Sequence, residues 1–376
     1  ETKEHSADAV GLKLSTTIKE LELTTVPNGM GVQAMADYLD EQDGGVYLDM
    51  YLDGVLGSST DELLGGAQTG AFDMVALSFG NWGDYTDGFA ALSIPYLFTS
   101  SEQVYAYIDG PEGDAMKQQV EEDTGMVVLA FLDVGFRNIT NSRGPIKTPD
   151  DVKGLKLRTQ NDRYQIAALE ALGATCSVIS FSELYSSLQQ GLVDAQENPI
   201  INTYTNKFYE VQDYMTLTRH AYTCTILAIS RESLDKLTPE QQQLGLDAGK
   251  VAQDTAREKL VEVEDDYLEK LGKEMEIYDP TQEELEPMSL EKHVDERSAP
   301  LFLVHTSDDA CVPVMNSLLM AKAYSAAGKR FELHVYPSAP HGMALGNDIT
   351  AGGFEPYSSP VLSGWVKAAA DWSEGV

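Results

Sequence analysis

The chain has 376 residues, of which 43% are hydrophobic and 9% aromatic, so it can form two or three domains with cores of their own. Its 60 acidic and 26 basic residues give a formal charge of −34, which argues against nucleic acid and anionic membrane surfaces as partners. No run of 18 apolar residues occurs, so no membrane-spanning helix is predicted. A start at Glu1 without a signal-like apolar segment fits a mature, processed protein, and fits an arbitrary starting point equally.

The positive charges are unevenly distributed along the sequence. Residues 20–116 contain no Lys or Arg, and the first Arg in the chain is Arg137. An anion bound by this protein would need cationic side chains, because these neutralise a carboxylate or phosphate and donate hydrogen bonds to it. Any cationic clamp is therefore predicted to come from residue 137 onward.

The first part of the chain alternates between strand-like and helix-like patterns. The predicted elements are a polar tail at 1–20, a strand at 21–26, a helix at 32–42, a strand at 46–52, a short helix and turn at 59–73 and a buried strand at 74–79. This β-α-β-α-β order is typical of a doubly wound parallel sheet. Residues 21–131 are interpreted as one α/β lobe, lobe I, to which a crossing segment near 222–260 returns.

A second α/β unit follows, interpreted as lobe II at 132–221. Between residues 101 and 230, the predicted elements are helices at 101–125, 162–173, 181–194 and 202–211, and strands at 126–133, 155–159, 175–180, 195–200 and 222–230, and those from 155 to 211 belong to lobe II. Pro239 is predicted to open a long helix that ends near Leu271, because proline suits the first helical position. Residues 222–282 are therefore a crossing strand and a long helix. A proline- and acid-rich break at 274–290 separates them from a β-α-β-α tail at 283–376.

The three cysteines have no metal or redox spacing, and no metal or cofactor is predicted. Cys176 and Cys224 both lie in strand-like runs. The pattern predicts two buried free thiols and leaves a disulfide between them as the alternative.

Two stretches carry a family resemblance: GFRNITNSRGPIKTPDDVKGLKLRTQN (135–161) and FSELYSSLQQGLVDAQENPI (181–200). They resemble the solute-binding proteins of TRAP (tripartite ATP-independent periplasmic) transporters, and the likeness extends over residues 21–282. It implies a type II-like periplasmic binding protein fold, with two α/β lobes that close around a ligand. It also implies an extracytoplasmic, non-enzymatic protein that captures a small organic acid and delivers it to TRAP-type membrane permease subunits.

The same resemblance implies ligand-binding residues in lobe II. Arg158, at the end of the GLKLR strand, matches the position that pairs with the ligand carboxylate, for which the planar fork of Arg donors is well suited. Arg137 matches a second position near the ligand, and an orienting salt bridge in the hinge is its alternative. The Asn198 amide can donate and accept hydrogen bonds, although a turn role before Pro199 is also open.

Other candidate ligand residues follow strands or begin helices. Glu62 begins a helix, where it either faces the cleft or simply stabilises the helix dipole. The remaining candidates are Ser78, Asn81 and Trp82 after the third strand, and Asn161 and Arg163 at a helix start that favours anions. Core packing is the alternative for Trp82.

The tail resembles the end of a small α/β-hydrolase of the esterase or acetylxylan esterase type over residues 286–376. Asp309 in DACVP matches the acid of a catalytic triad, and His341 in PHG matches its base. No G-x-S-x-G sequence occurs in the chain, so the nucleophile is missing. The favoured interpretation is a binding protein joined to a partial hydrolase fold; an esterase or a non-functional chimera are the alternatives. The two tail strands are expected to need neighbours in a parallel sheet and, alone, to leave edges open, so the tail is predicted to be poorly packed or docked on a lobe.

Overall fold

The computed structural model describes residues 6, 9–281, 284, 294–296, 298, 300–307, 314–336, 367–369 and 372. Two compact units divide the chain. Residues 1–101 and 113–280 form the first, and residues 102–112 and 281–376 form the second. No helix in the described part of the chain combines the length and apolar character needed to cross a membrane.

The strands of the described residues are, in chain order, β1 (Val10–Thr16), β2 (Val46–Tyr51), β3 (Met74–Ser78), β4 (Met126–Asn141), β5 (Lys156–Thr159), β6 (Thr175–Val178), β7 (Ala195–Pro199), β8 (Tyr214–Ser230), β9 (Glu276–Tyr278), β10 (Leu301–Thr306) and β11 (Phe331–Tyr336). The helices are α1 (Pro27–Gln42), α2 (Thr60–Gln68), α3 (Ala90–Ser93), α4 (Ser101–Ile108), α5 (Pro111–Thr124), α6 (Arg163–Ala171), α7 (Phe181–Gln189), α8 (Ile200–Thr205), α9 (Arg231–Asp235), α10 (Pro239–Leu271) and α11 (Met315–Ala326). Short 3-10 helices lie at Glu20–Leu23, Phe79–Asn81, Pro149–Val152 and Phe208–Glu210.

The first unit contains one nine-stranded sheet, in the order β2-β1-β3-β8-β4-β7-β5-β6, with β9 paired to β8. At one end, β1 is parallel to β2 and β3. At the other end, β5 is parallel to β6 and β7. The two ends are lobe I and lobe II respectively, and the antiparallel strands β4 and β8 join them.

The two joining strands are longer than the sequence pattern predicts. β4 has 16 residues and β8 has 17, so each continues from one lobe into the other. Their register is irregular at three places, between Val128 and Ala130, between Asp133 and Gly135 and between Arg137 and Ile139. The second and third irregularities lie near the middle of β4, where the chain passes between the lobes.

Helix α10 packs against parts of both lobes. Thr238 caps it by accepting a hydrogen bond from the Gln241 backbone, and Pro239 stands at its start, as predicted. Its 33 residues span roughly 50 Å at 1.5 Å per residue. Small side chains of its first half, among them Ala248 and Ala252, join a core with α1 and the lobe I strands. Its second half packs on α8 and the first residues of β8 through Leu260 and Leu271.

The strand predicted at 21–26 is wrong. Glu20–Leu23 is a 3-10 helix, and the first strand, Val10–Thr16, lies inside the stretch interpreted as a tail. The alternation of Leu12 and Leu14, both buried, with the exposed Lys13 carries the strand signal. Leu21 is 72% exposed, so the apolar residues of LELTTV do not share one buried face.

Cys176 and Cys224 are both free thiols. Cys224 is fully buried between the joining strands, and burial raises the pKa of its thiol well above the usual value. Cys176 is half-buried, and burial raises its pKa to about 11. Both thiols are therefore protonated at neutral pH and unreactive as nucleophiles.

The second unit contains a parallel pair, β10 with β11, in which Leu301 is aligned with Phe331. The two tail strands, whose pattern indicates a parallel sheet, thus pair with each other in parallel. Helix α11 lies between the two strands in the chain, as a parallel pair requires a crossover connection. Asp309 and His341 lie outside the described residues.

Candidate functional site

Arg158 is a buried cation at the carboxyl end of β5. Its side chain is 4% exposed, and its Nε donates to the carbonyl oxygen of Ile179 at 2.8 Å. Its guanidinium carbon lies 5.9 Å from the centre of the Phe181 ring, within range of a cation–π interaction. Burial lowers the pKa of Arg158 to about 10, so the side chain is still charged at neutral pH. Among the described residues, its two terminal amino groups form no hydrogen bond or salt bridge, although the Glu197 carboxylate, which pairs with Arg137, attracts the Arg158 charge from nearby.

Arg137 lies on β4, near Arg158, and has a counterion of its own. Its Nη2 donates to the Glu197 side chain at 2.9 Å and to the Glu197 backbone carbonyl at 2.6 Å, and its Nε pairs with the same carboxylate. Both side chains are buried. The position therefore has the salt bridge that the sequence left as the alternative to ligand contact.

Glu197, on β7, is fully buried and stays ionised. Burial alone would raise the pKa of its carboxyl group, but Arg137 and His220 outweigh burial and lower it to about 2. The Nε2 atom of His220 lies 3.5 Å from the Glu197 carboxylate. The other ring nitrogen of His220, Nδ1, shares a hydrogen bond of 2.8 Å with the Thr218 hydroxyl, and this bond fixes the orientation of the ring. The Glu197 charge thus cancels that of Arg137, and Arg158 supplies the remaining positive charge.

Asn198 follows Glu197 and lies beside the same ion pair. Its Oδ1 accepts from Arg137 Nη2 at 3.4 Å, and its Nδ2 donates to Gln196 at 2.5 Å. The structure therefore brings together three of the predicted residues, Arg158, Arg137 and Asn198, at neighbouring strands of lobe II. Their contact with a ligand stays a prediction.

The residues after β3 contact those after β5, which joins lobe I to lobe II at this edge of the sheet. Ser78 donates to the side-chain oxygen of Gln160 at 3.1 Å. Ser93 donates to Asp162 at 2.6 Å. Gln160 and Asp162 are both buried, and burial raises the pKa of Asp162.

Asn161 and Arg163 take part in the same junction. Asn161 donates to Asp84 at 2.5 Å, and Arg163 forms an ion pair with Asp87. The Tyr164 hydroxyl donates to Asp87 at 3.2 Å. The helix start that the sequence assigned to the ligand therefore binds carboxylates of lobe I in this structure.

Trp82 and Glu62 have structural roles here. Trp82 is 0% exposed and packs edge-on against Phe89, with ring centres 5.6 Å apart, which is the core role weighed as its alternative. Glu62 accepts from the backbone of Ser58 at 2.9 Å and Ser59 at 3.1 Å, completing a capping box at the start of α2. These hydrogen bonds lower the pKa of Glu62. Asn81 is half-buried next to Trp82.

The sequence interpretation missed Glu197, Gln160, Phe181 and His220. Glu197 stands in the QENP sequence beside Asn198. An acidic residue in an otherwise buried strand is rare unless it is paired, and this could have identified Glu197 from the sequence. Gln160 follows Arg158 by two residues. In the described part of the chain, no group of three or more His, Cys, Asp and Glu side chains is arranged to hold a metal ion.

Comparison with protein families identifies two matches. The profile of the bacterial extracellular solute-binding proteins, family 7 (DctP), matches residues 22–295. The profile of the prolyl oligopeptidase family matches residues 258–351, a range that overlaps the first match and contains both Asp309 and His341.

Individual relatives agree with the first match. The 2,3-diketo-L-gulonate-binding periplasmic protein YiaO of Escherichia coli K12 is 37% identical over 208 residues, which cover 55% of this chain and 63% of that protein. The chain thus spans less than two thirds of the length of this relative.

Two solved structures have a similar fold. A TRAP periplasmic solute-binding protein from Polaromonas sp. JS666, bound to D-erythronate, has a TM-score of 0.69 and 25% identity over 85% of this chain and 98% of that one. Another, from Sulfurospirillum deleyianum with bound succinate, has a TM-score of 0.69 and 27% identity over 75% of this chain and 91% of that one.

Proposed function

Since the chain belongs to family 7 of the bacterial extracellular solute-binding proteins, we propose that it captures a small organic acid whose carboxylate binds Arg158 between lobe I and lobe II. The protein is a binding protein of the TRAP type, not an enzyme, and its family is extracytoplasmic. The identity of the acid, a periplasmic location and delivery to TRAP-type membrane permease subunits belong to the proposal.

The observation that carries the proposal is the buried, uncompensated charge of Arg158. A buried cation without a counterion is costly, and it persists in proteins mainly where a bound anion completes it. The neighbouring Arg137 already has Glu197, so the unfilled donors are those of Arg158. Its free terminal amino groups form the edge of the guanidinium that can bind both oxygens of a carboxylate.

Closure of the lobes supplies the rest of the binding energy in this proposal. The contacts between residues 78–93 and residues 160–164 lie within a few residues of Arg158 along the chain. Bringing these segments together excludes water from the Arg158 side chain, which strengthens its attraction to an anion. Ligand binding and lobe contact are therefore expected to stabilise each other.

Calorimetry with a panel of organic acids tests the proposal. At least one monocarboxylate, sugar acid or dicarboxylate is expected to bind the parent protein, and Arg158→Ala is expected to weaken that binding by about 100-fold or more, because a charge-assisted bidentate contact is lost. Arg158→Lys keeps the charge but loses the fork, so an intermediate affinity is expected.

The matched control is Arg143→Ala, which removes a half-exposed Arg that pairs with Asp194 in the same lobe. It is expected to leave the affinity unchanged. Binding of no acid, or equal binding by the parent and Arg158→Ala, would show that the proposal is wrong.

A further inference from the structure

The buried side chains around Arg158 carry a net charge of one positive unit, which one negative charge on a ligand would balance. Arg137 and Arg158 are both buried, and the Glu197 carboxylate neutralises Arg137. The other buried carboxylate nearby, Asp162, caps α6 by accepting from the backbones of Tyr164 and Gln165 and does not pair with Arg158. The local balance before ligand binding is therefore one uncompensated cation, and one carboxylate on the ligand completes it.

The part of lobe I that contacts residues 160–164 offers nothing cationic for a second carboxylate. Residues 20–116 contain no Lys or Arg, and this range includes β2, β3 and residues 78–93, which contact residues 160–164 of lobe II. The charged side chains that this segment brings to the junction are Asp84 and Asp87, which already bind Asn161 and Arg163. A second carboxylate directed towards lobe I would meet negative potential and lose its hydration.

A neutral polar side chain, and not a second cation, follows Arg158 by two residues. The side-chain nitrogen of Gln160 is buried and has no acceptor among the described residues, although its oxygen accepts from Ser78. The Gln160 Nε2 can donate a hydrogen bond to the oxygen of a hydroxyl, carbonyl or amide group on a ligand.

We propose that this site selects a singly charged acid whose far end carries uncharged hydroxyl, carbonyl or amide groups, and discriminates against dicarboxylates. The inference rests on the proposed function, because it assumes that Arg158 binds the ligand carboxylate. It narrows that function from organic acids in general to monoanions.

Pairs of ligands that differ only in the charge of one end test the inference. Succinamate and succinate differ by an amide in place of a carboxylate, and D-galactonate and galactarate differ by a hydroxymethyl group in place of a carboxylate. Calorimetry at neutral pH is expected to give the monoanion of a bound pair a dissociation constant about tenfold lower or better.

The outcomes separate the inference from the proposed function. If neither member of any pair binds, and no other acid does, the proposed function fails. If a dianion binds as tightly as its monoanionic counterpart or more tightly, the inference is wrong while the carboxylate site stands. A consistent preference for the monoanion supports both.

Glu197→Gln tests the charge balance itself, because it removes the carboxylate that neutralises Arg137 and leaves two buried cations. The preference for the monoanion is expected to shrink or invert. Glu210→Gln is the matched control, since Glu210 lies on the surface of the same lobe, bound to Tyr185 and Lys207. An unchanged preference in a folded Glu197→Gln protein, checked by circular dichroism, would contradict the charge argument. If this variant does not fold, the ligand pairs measured on the parent protein decide.

Discussion

Gly80 and Gln160 approach so closely that any side chain at position 80 would overlap the Gln160 amide. A Cβ built on Gly80 lies 2.6 Å from the Gln160 Cδ and 3.2 Å from the nearer Asp162 oxygen. Gly80 belongs to lobe I and Gln160 to lobe II, so this approach occurs only when the lobes are in contact. The backbone angles at Gly80 are open to other residues, so the overlap arises between the lobes and not within the loop.

Gly80→Ala is therefore expected to oppose lobe contact without unfolding either lobe. Gln160 must break its hydrogen bond with Ser78 to make room, and overpacking of this kind costs about 1–3 kcal/mol. Ligand affinity is expected to fall by the corresponding factor, about fivefold or more. Calorimetry gives the affinity, and X-ray scattering with and without ligand gives the fraction of compact protein.

Gly65→Ala is the control for that substitution. Gly65 lies inside α2 with open space around it, so alanine there is expected to raise the free energy of unfolding by about 0.5–1 kcal/mol and to leave affinity unchanged. Unchanged affinity and compaction in Gly80→Ala would mean that the contact does not limit closure.

The ion pair between Arg163 and Asp87 is expected to contribute modestly to closure. Both side chains are more than half exposed, and exposed pairs are worth about 0.2–1 kcal/mol. Asp87→Asn is expected to accelerate ligand release by up to about fivefold at low salt, with the difference disappearing at high salt as the charges are screened. Stopped-flow measurement of release checks this, and Glu232→Gln, which breaks an exposed pair on α9, is the control. Equal rates for Asp87→Asn and the parent at low salt would exclude a role for the pair.

Replacing Arg158 by Met is expected to stabilise the protein without ligand. The substitution removes a buried charge that has no salt bridge of its own, and burial already lowers the pKa of that Arg from 12.5 to about 10. A gain of roughly 1–3 kcal/mol in the free energy of unfolding is expected, reduced by the lost hydrogen bond to Ile179. Urea unfolding measures it, and Arg143→Met serves as the control. A loss of stability would indicate that Arg158 has a structural partner.

The pH dependence of stability should report the Glu197 carboxylate. Its pKa is lowered from 4.5 to about 2 in the folded protein, so its contribution is complete above pH 4.5 and is lost as the pH falls from 4.5 towards 2. The contribution is roughly 3 kcal/mol at neutral pH, since each pH unit corresponds to about 1.4 kcal/mol. The difference in unfolding free energy between the parent and Glu197→Gln should therefore be constant from pH 7 to 5 and shrink below pH 4.5. A difference that stays constant down to pH 3 would contradict the assignment.

Substitutions of Trp82 test whether its side chain packs in the core or contacts the ligand. Because its side chain is 0% exposed and packs on Phe89, Trp82→Ala is expected to lower the free energy of unfolding by about 3–5 kcal/mol. Trp82→Phe should be milder and should keep the ligand affinity of the parent. A large loss of affinity in a stable Trp82→Phe protein would restore the ligand role suggested by the sequence.

Local patterns predicted most of the elements between Pro27 and Leu271, because helix and strand periodicity and the Thr238–Pro239 start are properties of neighbouring residues. They failed at Glu20–Leu23, where apolar residues occur without a shared buried face. They also ended β4 too early, at residue 133, and began β8 too late, at residue 222, because the polar part of each strand is held by its partner in the sheet.

The candidate site, like the fold, could be predicted from the sequence only in part. The sequence placed Arg158 at the end of its strand, and the structure agrees on that position. The partners of Arg137, Asn161 and Arg163 lie 60 to 77 residues away along the chain, and no local pattern specifies them. Which cation is paired and which is free therefore emerges only when the strands and lobes are brought together.

The irregular register of β4 against β8 has a mechanical consequence. At a bulge the ladder is locally disrupted and more strongly twisted, so rotation of one lobe against the other is absorbed there more easily than in the regular ladder on either side. Arg137 stands at the edge of one such irregularity, and its partner Glu197 lies on β7, the neighbouring strand of the same lobe. Because Arg137 and Glu197 lie on paired strands of lobe II, their ion pair can remain intact while lobe I moves away from lobe II and returns.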